Sequence, residues 1–300
     1  MVFTRLIPFL FVLLWSSAFI ASKTGLRDLS PLLFVAIRLA LCAMVLLVSM
    51  AVRRESWRPL AGWRWFHCAV AGALLNAMTL MPPHVGMLFV PAAHIALIQS
   101  LTPLLTAGLG VLLLHEPLRL RQWVGLMLGM SGVAIVVGPA AFGSATHLEG
   151  LALAFLGVIG LVAGTLYFGR FCRDVPLLPG ATAQFVSGAI ISGLCAWVLE
   201  TPSAHWTSFA IASVAWNTVV VSLGGMSLYA FMLARGSAAR VSANFYLVPG
   251  VAALLSWIFL GERLTPLAVA GLAVAGVGCA LVSARGIPSP ARPPRRVHRP

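Results

Sequence analysis

The chain contains 300 residues, of which 60% are hydrophobic and only 9% are charged, with a formal net charge of +13. A soluble globular protein carries about 25% charged residues, so this composition excludes a cytosolic enzyme, a secreted disulfide-linked scaffold and a disordered protein. The positive charge does not indicate nucleic-acid binding, because the arginines are scattered between apolar runs and form no basic face. Most of the protein surface must therefore face lipid, in agreement with a mean hydropathy of +0.98.

Ten apolar runs follow one another along the chain. A helix needs about 17–25 mostly apolar residues to cross the hydrocarbon core of a membrane. Charged residues, prolines and turn residues separate the runs, for example Arg53-Arg54-Glu55 and Pro82-Pro83. The first run is predicted to be a retained helix rather than a signal peptide, because no clean small-x-small cleavage site follows it. The predicted spans are 5–22, 30–52, 63–82, 87–113, 120–139, 149–169, 178–199, 208–233, 242–260 and 265–284.

The basic residues are distributed unevenly between the two sides of the predicted membrane. With a cytoplasmic N-terminus, sixteen fall inside and three fall outside, which is the bias that keeps loops in the cytoplasm. We therefore expect an integral protein of the bacterial inner membrane with both termini inside. Residues 285–300 are expected to form a disordered, basic cytoplasmic tail, for which weak binding to anionic lipid stays open. The inner set comprises Arg5, Arg53, Arg54, Arg58, Arg64, Arg119, Arg121, Arg170, Arg173, Arg235, Arg240 and the five tail arginines, and the outer set comprises Lys23, Arg27 and Arg263.

The five cysteines indicate neither a metal site nor a disulfide framework. They lie far apart in sequence, and no C-x-x-C motif is present. Four lie inside apolar runs, where cysteine behaves as a small hydrophobic residue. We therefore expect no metal and no cofactor. The cysteines are Cys42, Cys68, Cys172, Cys195 and Cys279.

The second half of the chain repeats part of the first. After a shift of 146 residues, twelve of the 40 pairs that begin at Ile98 and Asn244 are identical. The repeat therefore predicts two five-helix units at 5–139 and 149–284. Because five is odd, the second unit would be inverted in the membrane, an arrangement typical of secondary transporters. The matched pairs include Pro103 with Pro249, Glu116 with Glu262, Leu118 with Leu264, Gly125 with Gly271 and Gly132 with Gly278.

Several motifs resemble those of the EamA-type ten-helix transporters of the drug/metabolite transporter superfamily, over about residues 5–284. The first helix carries Trp15-Ser16-Ser17-Ala18-Phe19 with Lys23, and the second carries Arg38. Each half has a proline in its fourth helix. The turns before helices five and ten read Leu114-His115-Glu116-Pro117-Leu118 and Leu260-Gly261-Glu262-Arg263-Leu264-Thr265-Pro266, and glycines follow them.

The resemblance implies a membrane transporter that opens alternately to the two sides, and such relatives are mostly exporters of amino acids, metabolites or toxic compounds. In similar transporters helices one, three, four, six, eight and nine surround the central pathway. The resemblance does not name the substrate. The pathway candidates that it favours are Trp15, Asn76, Gln99, Tyr167, Asn217 and Tyr246, and for each of them a plain interhelical hydrogen bond is the alternative.

Two charged or titratable residues stand out inside the predicted spans. Arg38 lies roughly 12 Å into the second helix, at 1.5 Å per residue, and an intramembrane charge marks a functional site by default. It could contact substrate or act in gating, or it could snorkel or bond a neighbouring carbonyl. His94 could titrate during transport or pack through a hydrogen bond. Lys23, at a helix end, is expected to anchor the helix at the interface.

Glu116 and Glu262 are predicted to be structural rather than catalytic. Each precedes a helix, where a carboxylate complements the exposed N–H groups and the helix dipole. Thr265 and Pro266 are predicted as the N-cap and the first residue of helix ten. Small residues at Gly125, Gly129 and Gly132 and at Gly271, Ala275 and Gly278 predict two faces for close helix packing. Pro103 and Pro249 are predicted to bend their helices.

The sequence as a whole predicts an all-α membrane protein that exports small metabolites, amino acids or drug-like compounds by alternating access. No P-loop is present, so ATP hydrolysis cannot drive it. The alternatives are a passive facilitator or channel and, less favoured, a membrane-embedded enzyme, for which the sequence offers no catalytic residues. The expected partners are a small-molecule substrate and the lipid bilayer, and coupling to a proton or another ion stays open. No nucleic acid is expected, and the oligomeric state stays open.

Overall fold

The computed structural model describes residues 2–102, 104–106, 120–143, 145–225, 228, 232, 247–262 and 265–283. These residues are almost entirely helical and contain no β-strand beyond an isolated bridge between Leu29 and Ala204. The helices are α1 (Val2–Gly25), α2 (Pro31–Arg53), α3 (Trp63–Gly86), α4 (Ala92–Gln99), α5 (Leu120–Gly143), α6 (Ala145–Phe171), α7 (Leu177–Leu199), α8 (Ser208–Gly225), α9 (Val248–Leu260) and α10 (Pro266–Ser283).

Six of the described helices are long and apolar enough to cross a membrane: α1 from Leu6, α2, α3, α6, α7 and α8. α4, α9 and α10 are apolar but shorter. Many large apolar side chains on these helices are exposed, including Trp197, Phe259 and Ile211. An exposed apolar surface of this extent suits contact with lipid rather than water.

The boundary predicted for the third span is wrong. Pro82 and Pro83 lie inside the helical stretch Thr79–Gly86 rather than between two spans. Proline lacks an N–H donor and normally breaks a helix, but here the preceding turns are π-helical from Ala73 to Met78. The ring of Pro83 also packs against Gly157 of α6, where a Cβ atom would collide with it. Local irregularity and close packing therefore keep the helix continuous.

The helices of the two halves interlock. α1 packs on α8 and α9, whereas α6 packs on α3 and α4. The first helix of each half thus contacts the third and fourth helices of the other half. In addition, α2 packs along α7, and α5 packs along α10.

The two predicted small-residue faces meet at the α5–α10 crossing. A Cβ atom on Gly132 would collide with the backbone of Ala275 and lie 2.6 Å from the carbonyl oxygen of Gly271. A Cβ atom on Gly278 would collide with the backbone of Gly129 and lie 2.6 Å from the carbonyl oxygen of Gly125. The absence of side chains at both glycines therefore sets the distance between the two backbones.

Candidate functional site

Arg38 lies in the middle of the bundle and is only 7% exposed. Its Nη1 donates to Oδ1 of Asn217 over 2.9 Å, and its Nε and Nη2 both donate to Oγ of Ser222, over 3.2 and 3.1 Å. Asn217 and Ser222 lie in the π-helical part of α8, Trp216–Gly225. Arg38 therefore ties α2 of the first half to α8 of the second half.

The polar contacts continue from Asn217 to two further helices. Ser22 of α1 lies 3.4 Å from Oδ1 of Asn217, and Nε2 of His84, on α3, lies 3.1 Å from Oγ of Ser22. Nδ1 of His84 lies 2.7 Å from the carbonyl oxygen of Leu80. Because that oxygen can only accept, Nδ1 carries a hydrogen. Nε2 of a neutral ring and Oδ1 of Asn217 are both acceptors, so the one hydroxyl hydrogen of Ser22 is donated to one of them at a time. We call Ser22, Arg38, His84, Asn217 and Ser222 the Arg38 network.

The Arg38 network contains no carboxylate. Six of the seven Asp and Glu residues of the chain are described, and each lies at a helix end or in a turn, away from Arg38. Asp28, Glu200 and Glu262 bond to groups at helix ends. The remaining described carboxylates, Glu55, Glu149 and Asp174, are exposed. The guanidinium is therefore paired with neutral oxygen atoms alone in the described part of the chain.

A second group of charged residues lies where the α3–α4 turn meets the ends of α1 and α9. Nζ of Lys23 donates to the carbonyl oxygens of Met87 and Val90, the latter over 3.0 Å. Oε1 of Glu262 accepts from the backbone N–H of Ala92 over 3.3 Å. Both side chains, together with Arg27, line a cavity of about 270 Å³. Each charge complements the end of a helix that is not its own.

The contact of Glu262 differs from the one expected from sequence. The carboxylate bonds to the start of α4 rather than to the start of α10, which follows it in the chain. Oγ1 of Thr265 instead accepts from the backbone N–H of Ala268, as an N-cap does. Pro266 is the first residue of α10. Thr265 therefore caps α10, whereas Glu262 bonds to the start of α4.

Three other sequence candidates share no hydrogen bond with the Arg38 network in the described structure. Nδ2 of Asn76 donates to the carbonyl oxygen of Gln184 on α7, over 3.1 Å. The hydroxyl of Tyr167 lies 2.7 Å from Nδ1 of His67, at the other end of the bundle from Lys23. His94 is half-buried on α4, and its Nδ1 has no hydrogen-bond partner in the described structure. The hydrogen bonds of the described structure therefore do not connect these three residues to Arg38.

The structure describes three of the six remaining candidates. Trp15 is half-buried on α1 and packs against Phe11 with ring centroids 5.4 Å apart. Gln99 is half-buried and is the last residue of α4. Pro249 lies in the first turn of α9 and lines an apolar cavity of about 400 Å³. Pro103, Glu116 and Tyr246 lie outside the described residues.

The family model for the EamA-like transporter family matches the chain twice, over residues 4–138 and 148–284. The chain belongs to the EamA-like transporter family. The resemblance to transporters of the drug/metabolite superfamily that the motifs predicted is therefore confirmed. Together with the apolar helices, this membership identifies an integral membrane protein.

Curated EamA relatives match over nearly the whole chain. A Bacillus subtilis protein named "Uncharacterized transporter YvbV" is 27% identical over 94% of this chain and 92% of its own length. A Streptantibioticus cattleyicolor protein named "Probable terminal-alkyne amino-acid exporter" is 27% identical over 91% of both. A protein of Escherichia coli K12 named "Uncharacterized inner membrane transporter YedA" is 24% identical over 97% of this chain and 95% of its own length. The shared architecture is also present in a solved crystal structure with a TM-score of 0.66 and 20% identity, which covers 92% of this chain and 94% of that chain.

Sequence reasoning missed three members of the Arg38 network in this EamA chain. His84 follows Pro82-Pro83, which marked a turn in the sequence, so it was not counted as an intramembrane residue. Ser22 and Ser222 are small hydroxyl residues in apolar runs and carry no distinguishing pattern. A helix extended through the two prolines would have placed His84 on the same span as Asn76 and would have revealed it.

Proposed function

We propose that this EamA protein is a secondary active transporter that exports small metabolites across the inner membrane by alternating access. The observation that carries the proposal is the Arg38 network, which joins α1, α2 and α3 of the first half to α8 of the second half. A buried charge held between two halves of a membrane bundle is costly and marks a functional centre. Breaking and reforming such contacts would accompany the rocking of one half against the other.

The contacts between the halves support an inverted-repeat organisation of 5–139 and 149–284. The exchange of partners, α1 with α8 and α9 and α6 with α3 and α4, is the pattern expected for two related units around a pseudo-two-fold axis. The double match of the family model supports the same division. The π-helical stretches at 73–78 and 216–225 also fall at equivalent places, in the third helix of each half.

The outward direction and the substrate range rest on the named relatives. One is named as an amino-acid exporter, and a protein of Salmonella typhimurium named "Probable amino-acid metabolite efflux pump" is 23% identical over 87% of this chain. We therefore place amino acids and related metabolites first among the substrates. A proton or another ion would couple the movement to the membrane gradient.

Counterflow in proteoliposomes tests the proposal against a channel, and uphill accumulation driven by an imposed proton or ion gradient in the same vesicles tests it against a passive facilitator. Vesicles that contain purified protein are preloaded with an unlabelled compound and diluted into a trace of the same compound carrying a radiolabel. Leucine, phenylalanine, uridine and tetraphenylphosphonium serve as probes. A carrier that alternates between two states gives a transient accumulation of label above equilibrium, whereas a channel does not. Protein-free vesicles are the control, and the absence of accumulation for all four probes would contradict the proposal.

The membrane orientation has a separate test. We propose that both termini are cytoplasmic, from the sixteen basic residues on the inner side against three on the outer side. A C-terminal fluorescent reporter that folds only in the cytoplasm should be active, and an alkaline phosphatase fusion at the same position should be silent. The reverse pattern would contradict the proposed orientation.

Accessibility at Gln99 tests the pathway. The five native cysteines are replaced by alanine or serine, and Gln99→Cys is introduced. A small aqueous thiol reagent should modify it, and saturating substrate should slow the reaction because both occupy one aqueous path. Complete inertness in a variant that still transports would place the path elsewhere in the bundle.

A further inference from the structure

We propose that the Nε and Nη2 edge of Arg38 is the binding site for a carboxylate group of the transported solute. The site would take anionic or zwitterionic solutes and reject amines that lack a carboxylate. This inference rests on the proposed transport function and extends it by naming the chemical group that the central charge recognises.

The charge balance of the bundle interior is the first argument. Arg38 is buried between α2 and α8, and among the described residues it bonds only to the oxygen atoms of Asn217 and Ser222. Buried cations are normally paired with an anion, because neutral partners do not offset the loss of hydration. The six described carboxylates lie at helix ends and turns. A solute that brings its own negative charge would supply the missing partner.

The geometry of the guanidinium is the second argument. Two N–H groups on one edge of arginine form a fork that matches the two oxygens of a carboxylate. In the present structure one oxygen, Oγ of Ser222, accepts from both Nε and Nη2, over 3.2 and 3.1 Å. A carboxylate would replace this shared acceptor with two charge-assisted hydrogen bonds, which are shorter and roughly twice as strong. Oγ of Ser222 therefore occupies the position at this edge that a carboxylate oxygen would take.

The position of Ser222 connects solute binding to helix movement. Ser222 lies in the π-helical stretch of α8, and π-helical turns occur frequently at functional sites. Displacement of Ser222 from Arg38 would leave Asn217 as the remaining bond between Arg38 and α8. A carboxylate on Arg38 would thus loosen the contact between the two halves, as the proposed transport cycle requires.

His84, the histidine of the Arg38 network, also argues against a cationic solute. His84 lies next to Ser22 and stacks on Phe34, with ring centroids 5.6 Å apart. Protonation of His84 would add a second positive charge to the one on Arg38. Arg38 repels an ammonium group, and among the described residues no carboxylate lies beside it to offset that repulsion.

Matched compounds test the inference directly. We would measure thermal stabilisation and counterflow with two series that share a side chain and differ in the head group. The first is phenylalanine, 3-phenylpropionate, phenylalaninamide and 2-phenylethylamine. The second is leucine, 4-methylpentanoate, leucinamide and isopentylamine. We expect binding and counterflow only for compounds with a carboxylate, in at least one series. Equal or better binding of the amides or amines would overturn the inference and leave the transport function intact.

Variants separate a substrate contact from a structural one. Arg38→Gln should weaken binding of the acids about tenfold or more, the loss expected for a charge-assisted hydrogen bond. Arg38→Lys should retain part of it, since the charge remains but the fork is lost. Ser222→Ala should raise the affinity for the acids, because it removes the competing acceptor. Arg173→Gln, an exposed arginine outside the bundle, is the matched control.

The results for these variants and compounds decide between the carboxylate site and its alternatives. Unchanged affinity for the acids in Arg38→Gln, or weaker affinity in Ser222→Ala, would overturn the carboxylate site. If Arg38→Gln does not fold, the comparison of acids with amides in the unmodified protein and the response of Ser222→Ala still decide. A protein that moves none of these compounds and none of the earlier probes would overturn both the carboxylate site and the transport function.

Discussion

The carboxylate of Glu200, which follows α7, bonds to the first turn of α2 in the other half of the chain. Oε1 of Glu200 accepts from Oγ of Ser30 over 2.8 Å and from the backbone N–H of Leu33 over 2.7 Å. Oε2 accepts from the backbone N–H of Leu32 over 3.2 Å. Backbone donors in the first turn of a helix have no partner within the helix. Glu200 therefore acts as the N-terminal cap of a helix that lies 168 residues away in sequence.

Replacement of this cap should destabilise the bundle. Glu200→Ala removes all three accepted bonds, and loss of a helix cap costs about 1–2 kcal/mol. We expect a lower midpoint of thermal unfolding in detergent, measured by the fluorescence of a thiol-reactive or tryptophan probe. Glu149→Ala, which removes an exposed carboxylate, is the control. Equal midpoints for the two variants would show that the cap contributes nothing measurable.

The crossing of α5 and α10 should not tolerate side chains at its glycines. Gly132→Leu and Gly278→Leu each force bulk against the partner backbone, and overpacking of this kind costs about 1–3 kcal/mol. We expect both variants to unfold at lower temperature in detergent. Gly276→Leu is a matched control on α10, since no atom of a described residue lies within 4 Å of the position of its Cβ. If all three variants unfold alike, the two helices do not cross as described.

His84 and His94 should respond differently to loss of their ring nitrogens. His84→Leu removes the contacts with Ser22 and with the carbonyl oxygen of Leu80, and each lost hydrogen bond costs about 0.5–1.5 kcal/mol. His94→Leu removes a ring whose Nδ1 has no partner in the described structure. We expect a lower unfolding temperature and reduced counterflow for the first variant only. A larger fall in unfolding temperature and counterflow for His94→Leu than for His84→Leu would contradict this prediction.

Cys68 and Cys172 should form a disulfide under mild oxidation. Both thiols are free and buried, and they lie within hydrogen-bonding distance of each other in a cluster with Leu60 and Ala183. Copper phenanthroline with dissolved oxygen should link them, so that α3 becomes joined to the end of α6. Mass spectrometry of the digested protein would detect the linked peptides. Cys42 and Cys195 provide the comparison, and a link between them instead would contradict the described packing.

The cysteines illustrate a contact between distant residues that the sequence could not predict. Cys68 and Cys172 lie 104 positions apart, by subtraction of their residue numbers, and the sequence offered no reason to associate them. Their proximity follows from the packing of α3 on α6. In the same way, Glu262 was expected to stabilise the helix that follows it, whereas the fold brings it to Ala92 of α4.

The sequence alone determined that lipid surrounds most of this protein and that it belongs to a family of membrane transporters. Apolar runs of membrane length are a property of local composition, because every residue in lipid must satisfy its backbone within its own helix. The duplicated turns and glycines identified the family, and Arg38 stood out because a charge inside an apolar run is costly wherever it lies. The glycine faces could also be predicted, because small residues at helical spacing indicate that two helices pack closely.

Only the tertiary structure decided which groups surround Arg38. Its partners Asn217 and Ser222 lie 179 and 184 residues away, on a helix whose π-helical turns set the direction of their side chains. Side-chain direction and long-range contact depend on how helices cross, and crossing is governed by shape complementarity distributed over many weak contacts. His84 entered the network because packing against Gly157 kept the helix continuous through two prolines, an effect that local propensity opposes.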